Sequence, residues 1–167
     1  IGAYHVQLPD TYDTYAAAAA AAQGYPYGFP AYVDGQYVVR FEFYSSAANA
    51  SADAAAYPGS QIVGASSTCY TVVETNTGRI LFELDSGGEY LAVMPISQGA
   101  MAQTWFRGYQ YYGGFQYMRR SGNDLSVINF VSEDLYVAGV LPYEFVVNED
   151  LESLKAGAVA IRTYANA

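Results

Sequence analysis

Apolar and polar positions alternate along Tyr4-His5-Val6-Gln7-Leu8, and the same period returns at Tyr37-Val38-Val39-Arg40-Phe41. A period of two is the spacing of side chains on one face of a strand, so both stretches predict half-buried β-strands. Each leads into an alanine-rich run, Thr11 to Gln23 and Ser45 to Ala56, built from the residue with the highest helix propensity. After each helix comes a break, Gly24 to Pro30 and Tyr57 to Gly59, and then a short extended piece, Ala31 to Val33 and Gln61 to Val63. The pattern predicts a ferredoxin-like βαββαβ domain over residues 1–66, with two helices on one face of a four-stranded antiparallel sheet. The other face is expected to be open to a ligand.

From residue 67 the pattern changes to short β-rich runs punctuated by turn residues. Thr68 to Glu74 and Arg79 to Leu84 flank Thr75-Asn76-Thr77-Gly78, and Ser86-Gly87-Gly88 leads into Tyr90 to Met94. Trp105 to Tyr112 and Phe115 to Arg120 flank Gly113-Gly114, a two-residue hairpin signal, and Leu125 to Val131 alternates once more. Ser132 then offers an N-cap to a short helix over Glu133 to Ala138, which Gly139 is expected to stop. Val140 to Val147 reads as an extended connection. Asn148 is expected to cap a last helix with an apolar stripe of Leu151, Leu154, Ala158, Ile161 and Ala165. The chain is thus read as α+β, with a second domain over 67–167 made of β-hairpins (67–131) and a helical stretch (132–167).

Charge narrows the function classes. With 7 basic against 16 acidic residues and a net charge of -9, a general electrostatic grip on nucleic acid or anionic lipid is not expected. No apolar run approaches the length of a membrane span. Ile1 does not begin a secretory signal, which is compatible with a mature extracytoplasmic protein of the cell envelope or a secreted one. Cys69 is the sole cysteine and reads as a small buried hydrophobe. His5 reads as a surface strand residue with no metal-ligand companions, so neither metal nor cofactor is expected.

Six of the acidic residues fall between Glu133 and Glu152, and one of them, Glu144, sits among Pro142, Tyr143, Phe145, Val146 and Val147. Shielding by such neighbours favours the protonated form of a carboxyl, which is what a general acid needs. A solvated loop glutamate is the competing reading of the same residues. The aromatic content, eighteen tyrosines among 167 residues, suits stacking on sugar rings. Trp105, Tyr109, Tyr111, Tyr112 and Tyr117 form the densest group. Tyr4, Tyr37, Phe41 and Phe43, with Gln7 and Arg40 as hydrogen-bonding partners, could furnish a sugar-binding sheet face. The same aromatics are also good strand formers that pack inward.

Two resemblances sharpen these readings. Glu133 to Phe145, EDLYVAGVLPYEF, followed by Leu151 to Ala165, LESLKAGAVAIRTYA, resembles the SpoIID/LytB family typified by stage II sporulation protein D. That resemblance implies a peptidoglycan lytic transglycosylase whose catalytic acid falls on Glu144. Glu133, Asp134, Arg162 and Tyr164 would then support it, with Arg162 also suited to a structural ion pair with the acidic turn. Family domains continue beyond the R-T-Y helix, so Ala167 reads as a point inside a longer domain. The paired βαβ units resemble the SPOR domain, which implies binding of glycan strands stripped of stem peptides. The expected partners are therefore peptidoglycan glycan strands and cell-envelope proteins. A non-catalytic wall-binding or scaffold protein is the competing function.

Overall fold

The computed structural model describes residues 4–64, 66–96, 101–120, 124–145 and 150–167. The chain divides into two units, Ile1–Glu89 and Tyr90–Ala167, and the class is mixed α+β.

The first unit runs β1 (Tyr4–Tyr12), α1 (Tyr15–Ala22), β2 (Phe29–Val33), β3 (Gln36–Tyr44), α2 (Ala47–Ala56), β4 (Gln61–Val63), β5 (Tyr70–Val73) and β6 (Ile80–Asp85). The first six elements follow the βαββαβ order, and their strands lie side by side as β4-β1-β3-β2. The sheet does not end there, because β6 pairs in parallel with β2 and β5 pairs with β6, giving six strands where four are expected. The boundary expected after residue 66 is accordingly displaced to Glu89.

Strand β1 runs through Pro9 to Tyr12, so α1 starts at Tyr15 and not at Thr11, with the Thr14 hydroxyl accepting from the Ala17 N–H at 3.2 Å. Pro9 is tolerated because β4 pairs only with His5 to Gln7, and the register against β3 shifts between Gln7 and Thr11. At that point no ladder bond is asked of the missing N–H. On the helix side, Val6, Leu8, Val39 and Phe41 pack against Ala22 and Ala50, both fully or nearly fully buried. Small helix residues let the backbones approach the sheet, and each large side chain buried there stabilises the unit by about 1.5–3 kcal/mol.

The opposite sheet face is closed where it is expected to be open. Strand register puts Gln7, Phe29 and Arg40 on this face, together with Glu83 and Asp85. Arg40, 2% exposed, donates from Nη1 to Glu83 Oε2 at 2.9 Å, from Nη2 to Asp85 Oδ2 at 2.9 Å and from Nε to Gln7 Oε1 at 3.0 Å. His5 is likewise buried and not a surface residue, with Nδ1 2.5 Å from the Glu42 carbonyl and Nε2 3.4 Å from Glu83 Oε1. Thr71 adds a hydroxyl to Glu83 Oε1 at 3.0 Å. Burial of charge is tolerated here because every group has a partner of opposite sign or a hydrogen bond.

In the second unit β7 (Leu91–Val93), β10 (Gly114–Arg119) and β11 (Leu125–Phe130) form a sheet in the order β11-β10-β7. A separate hairpin pairs β8 (Gln103–Phe106) with β9 (Tyr109–Tyr112), and α3 (Glu133–Glu144) and α4 (Leu151–Ala165) follow. The turn expected at Gly113-Gly114 is displaced to Arg107-Gly108, where φ is 51° and 89°, the left-handed pair of a type I′ turn. Gly113 and Gly114 serve a different purpose: an added Cβ would lie 2.1 Å from the Phe130 carbonyl oxygen or 2.2 Å from that of Val93. Their absent side chains let β10 settle between its neighbours. No helix among the described residues is long and apolar enough to cross a membrane.

Candidate functional site

The acidic-aromatic stretch folds differently from its expected outline. Gly139 does not stop α3, which continues through Val140, Leu141, Pro142 and Tyr143 to Glu144. The Phe145 N–H closes the last turn on the Leu141 carbonyl at 3.0 Å. Proline near the end of a helix forfeits one bond to the preceding turn, and here the helix ends two residues later. Glu144 is therefore the last helical residue and not part of an extended connection.

Two features fix that end of α3 in place. Phe145 leaves the helix in extended backbone, and its ring lies where a Cβ on Gly157 would be, 2.6 Å from Phe145 Cε2. A mid-helix glycine is unfavourable by about 1 kcal/mol relative to alanine. At Gly157, which is buried, it admits the ring and lets α3 and α4 meet. Helix α4 begins under Asp150, whose carboxylate accepts from the N–H groups of Glu152 at 2.9 Å and Ser153 at 3.0 Å. Those bonds hold the Asp150 carboxyl below the usual carboxylate range. Asn148, expected to cap this helix, lies outside the described residues, as do Val146, Val147 and Glu149.

Glu144 itself is exposed, and the neighbouring Tyr143 is 87% exposed, so the described neighbours do not shield the carboxyl; Val146 and Val147, also expected to do so, lie outside the described residues. The residues expected to support it gather elsewhere. Arg162 Nε lies 3.1 Å from Glu133 Oε1, and the same guanidinium donates to Asp134. Asn166 adds a bond to Glu133 at 2.8 Å. Glu133 and Glu144 stand at opposite ends of α3, roughly 16 Å apart at a rise of about 1.5 Å per residue. The ion pair therefore ties the end of α4 to the start of α3, and Tyr164, 83% exposed, belongs to that far end too. Of the expected set, Glu144 alone lies at this end of α3.

The aromatic candidates separate sharply. Tyr37 lies edge-on to Tyr32 and to Tyr15 of α1, at ring centroid distances of 4.9 and 6.4 Å, so it packs on the helix side. The Tyr4 ring rests against Gly64. Arg40, expected to bond sugar hydroxyls, is closed to a ligand by its burial among Gln7, Glu83 and Asp85. On the β8–β9 hairpin, by contrast, Trp105 is 66% and Tyr109 is 67% exposed, with Tyr111 at the edge of exposure. Gln103 and Gln110 of this hairpin, exposed like Arg107, are not among the residues singled out by pattern. The alternating amides around a lone indole are the signal that could have found them.

Cys69 has its thiol pushed up to about 11, chiefly by burial and then by the nearby Glu83 and Asp85 carboxylates. A thiol so held is protonated near neutral pH and is a poor nucleophile. Among the described residues no group of three His, Cys, Asp or Glu side chains converges as a metal site.

Residues 121–167 match the family model of SpoIID, the stage II sporulation protein. An uncharacterized protein of Brachyspira hyodysenteriae is 41% identical over 58 residues, a stretch covering 35% of this chain and 16% of that relative. No solved structure matches. The segment that carries Glu144, the Phe145–Gly157 contact and the Arg162 ion pairs is thus the segment similar to the SpoIID family.

Proposed function

We propose that the protein acts on the bacterial cell wall, and that Glu144 is the acid-base group of a peptidoglycan lytic transglycosylase. The match of residues 121–167 is consistent with a cell-wall-related function in sporulation. The observation that carries the finer reading is the position of Glu144 inside that segment. It is exposed to an incoming strand, at a helix end anchored by Phe145 against Gly157.

In this reading one carboxyl works twice. It first gives its proton to the oxygen leaving C1 of N-acetylmuramic acid as the bond to N-acetylglucosamine breaks. The resulting carboxylate then takes the proton of the muramic C6 hydroxyl, whose oxygen closes on C1 to give the 1,6-anhydro product. No water enters, so the second carboxylate of the hydrolytic glycosidases is not needed. The separation of Glu133 and Asp134 from Glu144 by the length of α3 accords with a single acting group. Water exclusion at the carboxyl then comes from the bound strand, since the described neighbours leave it open.

An extracytoplasmic place at the envelope, with glycan strands as the partner, belongs to the same proposal. The β4-β1-β3-β2 layout of the first unit is compatible with a SPOR-like role, which is part of this proposal. Its closed sheet face argues for a scaffold and against a glycan platform at Arg40. A non-catalytic wall-binding protein is the second reading, favoured by the exposed aromatic hairpin.

The test is digestion of peptide-free glycan strands by the full chain, with products resolved by mass. Anhydro-muramyl ends are expected, falling about 10²–10⁴-fold in Glu144→Gln. Because the side chain is exposed, that variant should change stability by less than about 0.5 kcal/mol. Product formation unchanged in Glu144→Gln would end the assignment, and strand binding without any product would leave the second reading.

A further inference from the structure

Pairing in the β8–β9 hairpin sets Gln103 opposite Tyr112, Thr104 opposite Tyr111, Trp105 opposite Gln110 and Phe106 opposite Tyr109. Side-chain alternation divides these into two faces. One face is partly covered, with Phe106 and Tyr111 packed on Phe115 at centroid distances of 5.2 and 5.4 Å, while Tyr109 beside the turn stays 67% exposed. The other carries Gln103, Trp105, Gln110 and Tyr112, and the first three are exposed. The chain's single tryptophan is thus held outward between two neutral amides, with no charged side chain on that face.

The turn beside it is unusual in a second way. Arg107 takes φ 51°, a region disfavoured for residues with a Cβ and left mainly to glycine, asparagine and aspartate. Arg107 is exposed, and among the described residues its side chain has no hydrogen-bond or ion-pair partner, in a chain where acidic residues outnumber basic ones 16 to 7. Left-handed backbone that places a cation in the turn two positions from an exposed indole is the kind of outlier that points to use.

We infer that the outward face of the β8–β9 hairpin is a binding subsite for an acidic saccharide. The C–H face of a pyranose stacks on Trp105, Gln103 and Gln110 meet its hydroxyl or acetamido groups, and Arg107 pairs with a carboxylate carried by the sugar. An apolar protein partner would call for a continuous apolar patch, whereas here amides flank the one exposed ring on the face, Tyr112 being half-buried. The inference rests on the glycan reading above only for the source of the sugar: a glycan strand stripped of its peptides exposes the lactyl carboxylate of each muramic acid.

The lone indole supplies a direct readout. The full chain is titrated with peptide-free muramic acid-containing oligosaccharides and, in parallel, with N-acetylglucosamine oligomers that lack the carboxylate, while Trp105 emission is followed. The acidic oligosaccharide should perturb the emission and bind about tenfold or more tightly than the neutral one, the scale of one charge-assisted hydrogen bond. Arg107→Asn, which suits the type I′ turn while removing the cation, should erase that preference without loosening the hairpin. Trp105→Ala, followed by sedimentation with the strands, should weaken binding of both sugars. Unchanged emission at saturation with either sugar, or an acidic preference that survives Arg107→Asn, would overturn the inference. The unsubstituted chain separates the two claims: binding with emission change but no cleavage sinks the transglycosylase reading alone, and cleavage with silent emission sinks the subsite alone.

Discussion

Each unit contains an arginine bridging two carboxylates, and the two bridges differ in almost everything but their chemistry. Arg40 on β3 reaches across β2 to Glu83 and Asp85 on β6, with its own side chain 3% exposed, Glu83 at 4% and Asp85 at 15%. Arg162 holds Glu133 and Asp134 between two helices with its side chain 50% exposed and the carboxylates 46% and 84% exposed. Water solvates the second set whether or not the pair forms, so the contact contributes little. In the first set the protein has replaced nearly all the water around Arg40 and Glu83, and removal of one member strands the others with little solvation. The same motif is therefore structural glue in one unit and a light tether in the other.

The largest expected effect follows from that asymmetry. Arg40→Ala leaves Glu83 and Asp85 facing each other without their cation, and should destabilise the first unit by about 3–5 kcal/mol. Amide hydrogen exchange in β3, read against urea unfolding, would show it. A cost under about 1 kcal/mol would mean that water reaches the cluster, and the contrast between the two bridges would disappear.

A pH titration sharpens the same contrast at smaller scale. Burial alone would raise the Glu83 pKa, but hydrogen bonds and charge from His5 and Arg40 more than offset it and hold the carboxyl below its ordinary 4.5. A depressed folded-state value means that Glu83 contributes stability in full above the unfolded value and loses it as pH falls below 4.5 through the folded one. The urea midpoint of the first unit should thus fall more steeply with acidification in the wild type than in Glu83→Gln, which cannot titrate. Parallel loss in the two proteins would assign the acid sensitivity to other carboxylates.

Much of the first unit was legible in the chain, and the reasons are local. Period-two alternation at Tyr4 to Leu8 and Tyr37 to Phe41, with an alanine run after each, specifies strand and helix without reference to anything distant. What could not be read is the parallel pairing of Ala31 to Val33 with Glu83 to Asp85. It depends on a contact far along the sequence, and it turns the expected open face into a buried one. His5 and Arg40 look solvent-facing in isolation because their partners, Glu83 and Asp85, sit in a strand assigned to another domain.

In the second unit the misreadings come from competing local signals. Gly139 and Pro142 both argue for a helix end, yet neither breaks α3 before Glu144. Likewise, Gly113-Gly114 and Arg107-Gly108 both resemble turns, and only the closeness of the Phe130 and Val93 carbonyls reveals that the former pair serves packing. Glu144 was found by its place in a recognisable stretch, whereas its exposure was not foreseeable from apolar neighbours, since adjacency in sequence does not make a shield.

The smallest effect is expected at Arg162, and it is the one that tests whether the helical pair depends on its tether. Arg162→Ala removes contacts to Glu133 and Asp134 that are worth about 0–1 kcal/mol at such exposure and are screened by salt. The Phe145 ring over Gly157 remains, and with it the packing that sets the end of α3 near Glu144. Urea unfolding followed by Trp105 emission, which reports the second unit, should therefore move little, and the small difference from wild type should shrink further at about 1 M salt, where the screening length is about 3 Å. If the substitution instead costs as much as Arg40→Ala, the α3–α4 pair stands on its ions and not on Phe145, and the position of Glu144 would have to be derived from the charged end of the hairpin.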